Sequence, residues 1–286
     1  MEKRTEDIMI KDLVTRAVNG DSEALEALLA EVNDFIFNLS LRMLGTIADA
    51  QDASQEILIK VMTSLSSFRQ KSSFKTWVYR IASNYLVDYK KNMFSQYPLD
   101  FSYYANDLRV EGITQMEDPF ETEERKLMAE ELKLSCTNVM LQCLTPLNRC
   151  VFILGTMFGL DSRTAGELLG ISSESYRQRL SRSRKRMRDF LGENCGLAGG
   201  FCRCQRRIDY AIDHSRLDPD NLEYSALKPL ERDLLEEYRD IMENMEDLAG
   251  IFEGLPIYHS AIDSRDFLES LLSSHDMKKI LHKRRG

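Results

Sequence analysis

Two groups of side chains in this chain have the types and spacing to handle nucleic acid. The first lies in SSFKTWVYRIASNYLVDYKK, Ser72 to Lys91, which holds the chain's one tryptophan, three tyrosines and several cations. At 100° per residue, Phe74, Val78, Ile81, Tyr85 and Tyr89 share one helical face with Trp77 at its edge, and that face is built for a core. Lys75, Tyr79, Ser83 and Lys90 fall on the other side, with Thr76 and Arg80 beside them. An aromatic ring among cations suits an unstacked base, because the ring stacks while the cation meets phosphate. The alternative is that Tyr79 packs on a neighbouring helix and the cations only solvate the surface.

The second group lies in GLDSRTAGELLGISSESYRQRLSRSRKRMRDFL. Between Arg163 and Arg188 there are eight Lys/Arg against two Glu, a local surplus of six positive charges in a chain whose net charge is −8. The spacing is that of a helix-turn-helix. Asp161 to Leu169 forms the first helix, with Leu160 and Leu168 buried; Gly170 ends it and Ile171 plugs the turn. Ser172 or Ser173 caps the second helix. Tyr176, Leu180 and Met187 face inward, leaving Ser173, Arg177, Gln178, Arg179, Ser181, Arg182 and Arg184 for a partner. A capped helix with cationic and amide side chains is what reading a major groove requires: Arg pairs with guanine, Gln with adenine, and the rest hold phosphates.

A third group, ENCGLAGGFCRCQRR, brings Cys195, Cys202 and Cys204 together, with His214 ten residues on. Three thiols and an imidazole make a candidate tetrahedral zinc site, or a redox pair if Arg203, Arg206 and Arg207 acidify the thiols; reduced structural cysteines are the third reading. Cys136, Cys143 and Cys150 recur every seven residues among apolar positions and read as core. No other cofactor is called for.

The elements that must position these groups are helices. Glycine and proline are sparse and alternating β-branched runs are missing, so the fold class is all-α. NGDSEALEALLAEVNDFIFNLSLRML opens at Asp21 or Ser22 and carries one apolar face, and Ala48 to Leu65 is a second amphipathic helix. From Asn92 to about Arg125 the pattern dissolves; a helical unit follows from Lys126 to Leu191, and glycines mark a boundary after it. The tail returns to amphipathic helix, for instance Leu227 to Leu248. The expected units are residues 1–92, an acidic flexible linker 93–125, residues 126–192 and a helical extension 193–286. No apolar run approaches the roughly 18 residues that cross a bilayer, and MEKRTEDIMIKD lacks the apolar core of a signal peptide. A cytoplasmic protein without a membrane partner is expected. Six cysteines in 286 residues do not make a secreted disulfide framework.

DAQDASQEILIKV, then SFRQKSSFKTWVYRIASNYLVDY, then LTPLNRCVFIL…GLDSRTAGELLGIS…YRQRLSRSR, in that order, resemble a bacterial RNA polymerase sigma factor of the extracytoplasmic-function type. The resemblance covers about Asp12 to Leu191 and implies roles for each block. Asp49, Asp52, Gln55 and Glu56 match the helix that docks on core RNA polymerase. The loop Phe68 to Ser73 and the helix bearing Lys75, Trp77, Tyr79, Arg80 and Asn84 match the part that captures the melted minus-ten strand, where a flipped base needs a pocket. The helix-turn-helix matches the module that reads minus-thirty-five duplex. Implied partners are core polymerase, promoter DNA and, as a candidate, an anti-sigma factor. No catalytic constellation is expected, since such a factor uses the polymerase's active site.

Two departures stand out. Glu174, Ser175 and Tyr176 stand where members often carry Gly-Thr-Val, and Glu174 either accepts from cytosine or repels phosphate. Ala165 and Gly166 replace larger or helix-favouring residues, which is expected to loosen the first helix of the motif. Beyond the resemblance, Asp218 to Asp247 has eleven acidic residues against three basic ones; this span is expected either to fold back on the basic helix or to stay solvated. A helix-turn-helix regulator acting without core polymerase, and a thiol- or metal-sensing regulator, are the competing functional readings.

Overall fold

The structure, a computed structural model, describes residues 2–89, 91, 93–110, 122–230, 252 and 255–273. The described residues form twelve α-helices with short 3-10 and π turns: α1 Glu2–Val18, α2 Ser22–Leu44, α3 Ile47–Ser64, α4 Phe74–Asp88, α5 Met93–Gln96, α6 Phe101–Val110, α7 Glu123–Leu141, α8 Pro146–Phe152, α9 Ser162–Leu169, α10 Ser173–Asn194, α11 Ile208–Asp213 and α12 Ser264–Ser273. Two isolated β-bridges occur and no longer strand among these residues.

α2 is the central element. Asp21 caps it by accepting from the backbone N–H of Glu23 and Ala24, and Gly45 ends it at φ 89°, a left-handed value that glycine adopts without a Cβ penalty. α1, α3 and α4 pack around it, and their apolar faces share one core through Leu28, Val32, Ile36, Ile57, Val78 and Leu86. α2 has more than the single buried face its spacing suggests, because Asn33, Asn38 and Arg42 are buried as well.

The same core continues into α7, α8 and α10 through Met140, Phe152, Met187 and Phe190. Arg149 on α8 makes the joint. Its guanidinium donates to the carbonyls of Gln142 and Leu144 at 3.1 and 2.9 Å, and also to that of Met43 near the end of α2. A cation collecting carbonyls at two helix C-termini satisfies groups that have no intrahelical partner. Burial lowers the Arg149 pKa to about 10, so the group is still charged at neutral pH.

The segment expected to be a linker is partly folded. α6 buries Tyr104 and Leu108, and Tyr104 stacks on Phe190 of α10. Phe101, Tyr104 and Leu108 do carry a helical period, which the neighbouring Asp100, Asn106 and Asp107 obscure in the sequence. Residues 111–121 lie outside the described residues.

Within the extension, α11 and α12 are helical, but the chain near Leu227 is not. Leu230 donates to the carbonyl of Ile257, and His259 donates to that of Lys228, so extended chain pairs where amphipathic helix was expected. The rest of that expected helix, from residue 231, and most of the acidic span lie outside the described residues.

Candidate nucleic-acid interface

The helix-turn-helix forms as its punctuation dictates. Asp161 caps α9 by accepting from the N–H of Arg163 and Thr164, Gly170 ends it at φ 66°, and Ser172 caps α10 by accepting from the N–H of Ser175. Tyr176 is buried against Val151 and Ala165, and its hydroxyl donates to the carbonyl of Val151 at 3.0 Å. Gly166 does not loosen the motif. A Cβ there would stand 2.9 Å from the Ile171 carbonyl oxygen and 3.3 Å from the Ser173 nitrogen, so the glycine is what lets the turn close on α9.

α10 sorts the seven side chains assigned to duplex reading. Arg177, Gln178, Ser181 and Arg182 are exposed, with Lys185, Arg186 and Arg188 further along, and Ser173 is half-buried in the first turn. Arg179 and Arg184 are turned inward. Arg179 donates to Asn148 Oδ1 at 3.0 Å, and Arg184 donates to Thr156 Oγ1 at 3.0 Å and to the Gly155 carbonyl at 2.9 Å. They position the helix on α8 and the π turn Ile153–Met157, which corrects their assignment to the outer face. Glu174 neither stands alone nor points away: it accepts from Arg177 at 2.7 Å and from Gln178 at 3.0 Å. The Arg177 bond, then that from Gln178, holds its carboxyl below the usual value.

α4 tells a different story. Arg80 and Asn84 are exposed as expected, and Lys75 pairs with Glu31 at 2.8 Å. Trp77 is half-buried against the rings of Phe68 and Phe74. Tyr79, expected on the solvent face, is 7% exposed. Its ring stacks on Phe35 at 3.5 Å between centroids, and Phe35 in turn touches Phe158 at the end of the π turn. The cause is tertiary: α8 and α9 lie on α4, covering the side opposite its bundle core.

The α3 group is also divided. Asp52 and Gln55 are exposed. Asp49 is engaged in the cap of its own helix, accepting from Thr46 Oγ1 at 2.8 Å. Glu56 accepts from the Tyr85 hydroxyl and from Lys91 Nζ at 2.8 Å, and those bonds, Lys91 first, hold its carboxyl below the usual value.

His214 does not join the cysteines: its ring lies on Tyr210 and its Nδ1 is 2.9 Å from the Tyr210 carbonyl. Among the described residues, no group of three or more His, Cys, Asp or Glu side chains could hold a metal ion, so Cys195, Cys202, Cys204 and His214 do not come together as a metal site. Nor is any described helix long and apolar enough to cross a membrane.

One surface escaped the sequence reading. The extension lies along α2 as a strap. Asn33 donates to the Ile262 carbonyl, Asp34 accepts from Ser260 N and contacts His259, Asn38 exchanges two bonds with the backbone of Tyr258, and Arg42 donates to the Pro256 carbonyl at 2.6 Å. Glu131 on α7 accepts from Tyr224 N and Ser225 N. Asp34, Asn38 and Arg42 recur every four residues in an otherwise apolar helix, and that polar row was the available signal. The described part of the tail therefore docks on α2 and α7.

Comparison with known proteins agrees with this geometry. A family model described as sigma-70 region 2 matches residues 28–92, and one described as sigma-70, region 4 matches residues 134–187. The ECF RNA polymerase sigma factor SigW of Bacillus subtilis is 33% identical over 108 residues, covering 38% of this chain and 56% of that one. The ECF RNA polymerase sigma factor SigE of Mycolicibacterium smegmatis is 25% identical over 181 residues, covering 61% of this chain and 65% of that one. The chain thus spans less than two thirds of the length of each. A solved structure of CnrH in complex with the cytosolic domain of CnrY is 18% identical, with a TM-score of 0.48, and covers 65% of this chain and 99% of that one. The region 2 match takes in most of α2 with α3 and α4, the region 4 match runs from Leu134 on α7 into α10, and over these two segments the chain resembles sigma factors of the extracytoplasmic-function type.

Proposed function

We propose that the protein binds core RNA polymerase and directs it to a set of promoters. The observation that carries this is the pairing, in one chain, of a sigma-70 region 2 with an exposed, capped and cationic region 4 helix. Asp52 and Gln55 are the polymerase-facing residues on α3 that remain open. Arg177, Gln178, Ser181 and Arg182 are the duplex-reading residues. Lys75, Trp77, Tyr79, Arg80 and Asn84 serve the melted strand; Tyr79 stacks on Phe35 of α2, within region 2, and can do so only after α8, α9 and the π turn leave α4 and Phe35. The free chain is therefore a stored form, and engagement with polymerase is the step that exposes the single-strand face. A helix-turn-helix regulator working without polymerase has no use for a region 2.

The test is run-off transcription with purified core polymerase on a genomic fragment library. Discrete transcripts that require the added protein, and that weaken when Asp52 and Gln55 are both changed to Ala, are the expected result. DNA binding by the chain with no protein-dependent transcript would overturn the proposal.

A further inference from the structure

The strap makes more buried polar contact than a solvated tail needs, and it touches both regions. Phe252 is buried, and its ring meets Phe152 of α8 edge-on at 5.1 Å between centroids. Residues 256–262 lie on α2 in a fixed, antiparallel register: Asn33, Asp34, Asn38 and Arg42 bond the main chain at Ile262, Ser260, Tyr258 and Pro256 in turn. Four residues of helix advance about 6 Å and two residues of extended chain about 6.6 Å, so a polar row recurring every fourth residue on α2 meets every second strap residue. Arg42 ties that row to region 4. It is 2% exposed, and besides the Pro256 carbonyl it donates to Asn138 Oδ1 on α7 at 2.6 Å. Asn138 in turn donates to the Tyr224 hydroxyl at 2.9 Å. Tyr224 and Tyr258 share one apolar cluster with Phe37 and Leu41 of α2 and with Ile47 and Ala50 in the first turn of α3.

We propose that Tyr224, Phe252 and residues 256–262 form a clasp that holds regions 2 and 4 closed on each other, and that core RNA polymerase must displace it to bind. The inference rests on the sigma-factor reading above. Moving region 4 off α2 takes Asn138 from Arg42, and lifting the strap takes Pro256 from it. Either event alone leaves a buried guanidinium short of an acceptor, and that is costly until the other event lets water in. Strap release and opening are therefore coupled through one side chain. The clasp also reaches the polymerase-facing helix itself, through Ile47 and Ala50. A partner that binds only the open form loses apparent affinity in proportion to the closed fraction, so the clasp sets how readily polymerase is engaged. It works through main-chain bonds to α2 and leaves the cations of α10 free, unlike a charge mimic laid over the reading helix.

The experiment is binding of the full chain to immobilised core RNA polymerase, for the unaltered protein and two variants whose helix content is checked by circular dichroism. Ser260→Pro removes the N–H that Asp34 accepts, from the strap side, and Asn38→Ala removes both bonds to Tyr258, from the α2 side. Each should bind polymerase about fivefold or more tightly than the unaltered chain, an effect opposite in sign to that of general damage. In the unaltered chain the Tyr258 and Ser260 amides should be protected from hydrogen exchange and should lose that protection once polymerase is bound. Equal or weaker binding by the folded variants, or protection kept in the complex, would overturn the clasp and leave the sigma-factor reading standing. No binding by any form would overturn that reading and the clasp with it.

Discussion

The fold treats the two candidate nucleic-acid faces of this molecule oppositely. On α10 the cations at Arg177 and Arg182 stand in solvent, and the inward arginines, Arg179 and Arg184, fix the helix to its support. On α4 the ring best suited to stack on a base is packed under Phe35, with region 4 lying over it. Duplex reading needs a rigid surface that is always presented, and a capped helix on a buried tyrosine provides one. In the proposed function, capture of a melted strand is needed only after polymerase has arrived, so a tyrosine stacked on Phe35 and covered by α8 and α9 serves well.

The largest effect expected from breaking this comparison is at the joint. Arg149→Ala leaves carbonyls at the ends of α2 and α7 without their donor and should cost about 3 kcal/mol of stability, read as a lowered denaturation midpoint. If the midpoint is unchanged, region 4 is not held to α2 in the way described. Next, the double change Arg177→Ala and Arg182→Ala should weaken binding to a recovered promoter fragment by about 2 kcal/mol or more while leaving the thermal midpoint in place. Equal loss of stability would mean that these side chains are structural, like Arg184.

The strap offers a subtler break. Asn38→Ala removes both bonds to Tyr258 and should cost about 1–2 kcal/mol, with faster proteolysis confined to residues after 255. The smallest effect is at Glu174. Glu174→Gln removes the charge that holds Arg177 and Gln178, and should raise affinity for duplex DNA by a few-fold at low salt, a gain that fades as salt rises. Weaker binding instead would show that Glu174 itself contacts a base.

The helix-turn-helix was legible in sequence because its determinants are local: Asp161, Gly170 and Ser172 act within one turn of themselves. The apolar spacing of α2, α3 and α4 was legible for the same reason. What escaped was non-local. Periodicity put Tyr79 off the apolar stripe of α4 and left open that it packs on a neighbouring helix, but could not name Phe35 of α2 as the ring it stacks on. The polar row of α2 gained its meaning only from residues 256–262, more than two hundred positions away. Gly166 looked like a helix weakener until the closeness of the Ile171 carbonyl showed why no side chain fits.

The stored state of α4 can be measured directly by hydroxyl-radical footprinting of tyrosine side chains, with and without core RNA polymerase. Tyr97 and Tyr103, 72% and 63% exposed, serve as internal standards. Tyr79 should be strongly protected relative to them in the free chain and should become reactive when polymerase is added. Tyr79 reacting like Tyr97 in the free chain, or staying protected in a complex that is making transcripts, would contradict the account.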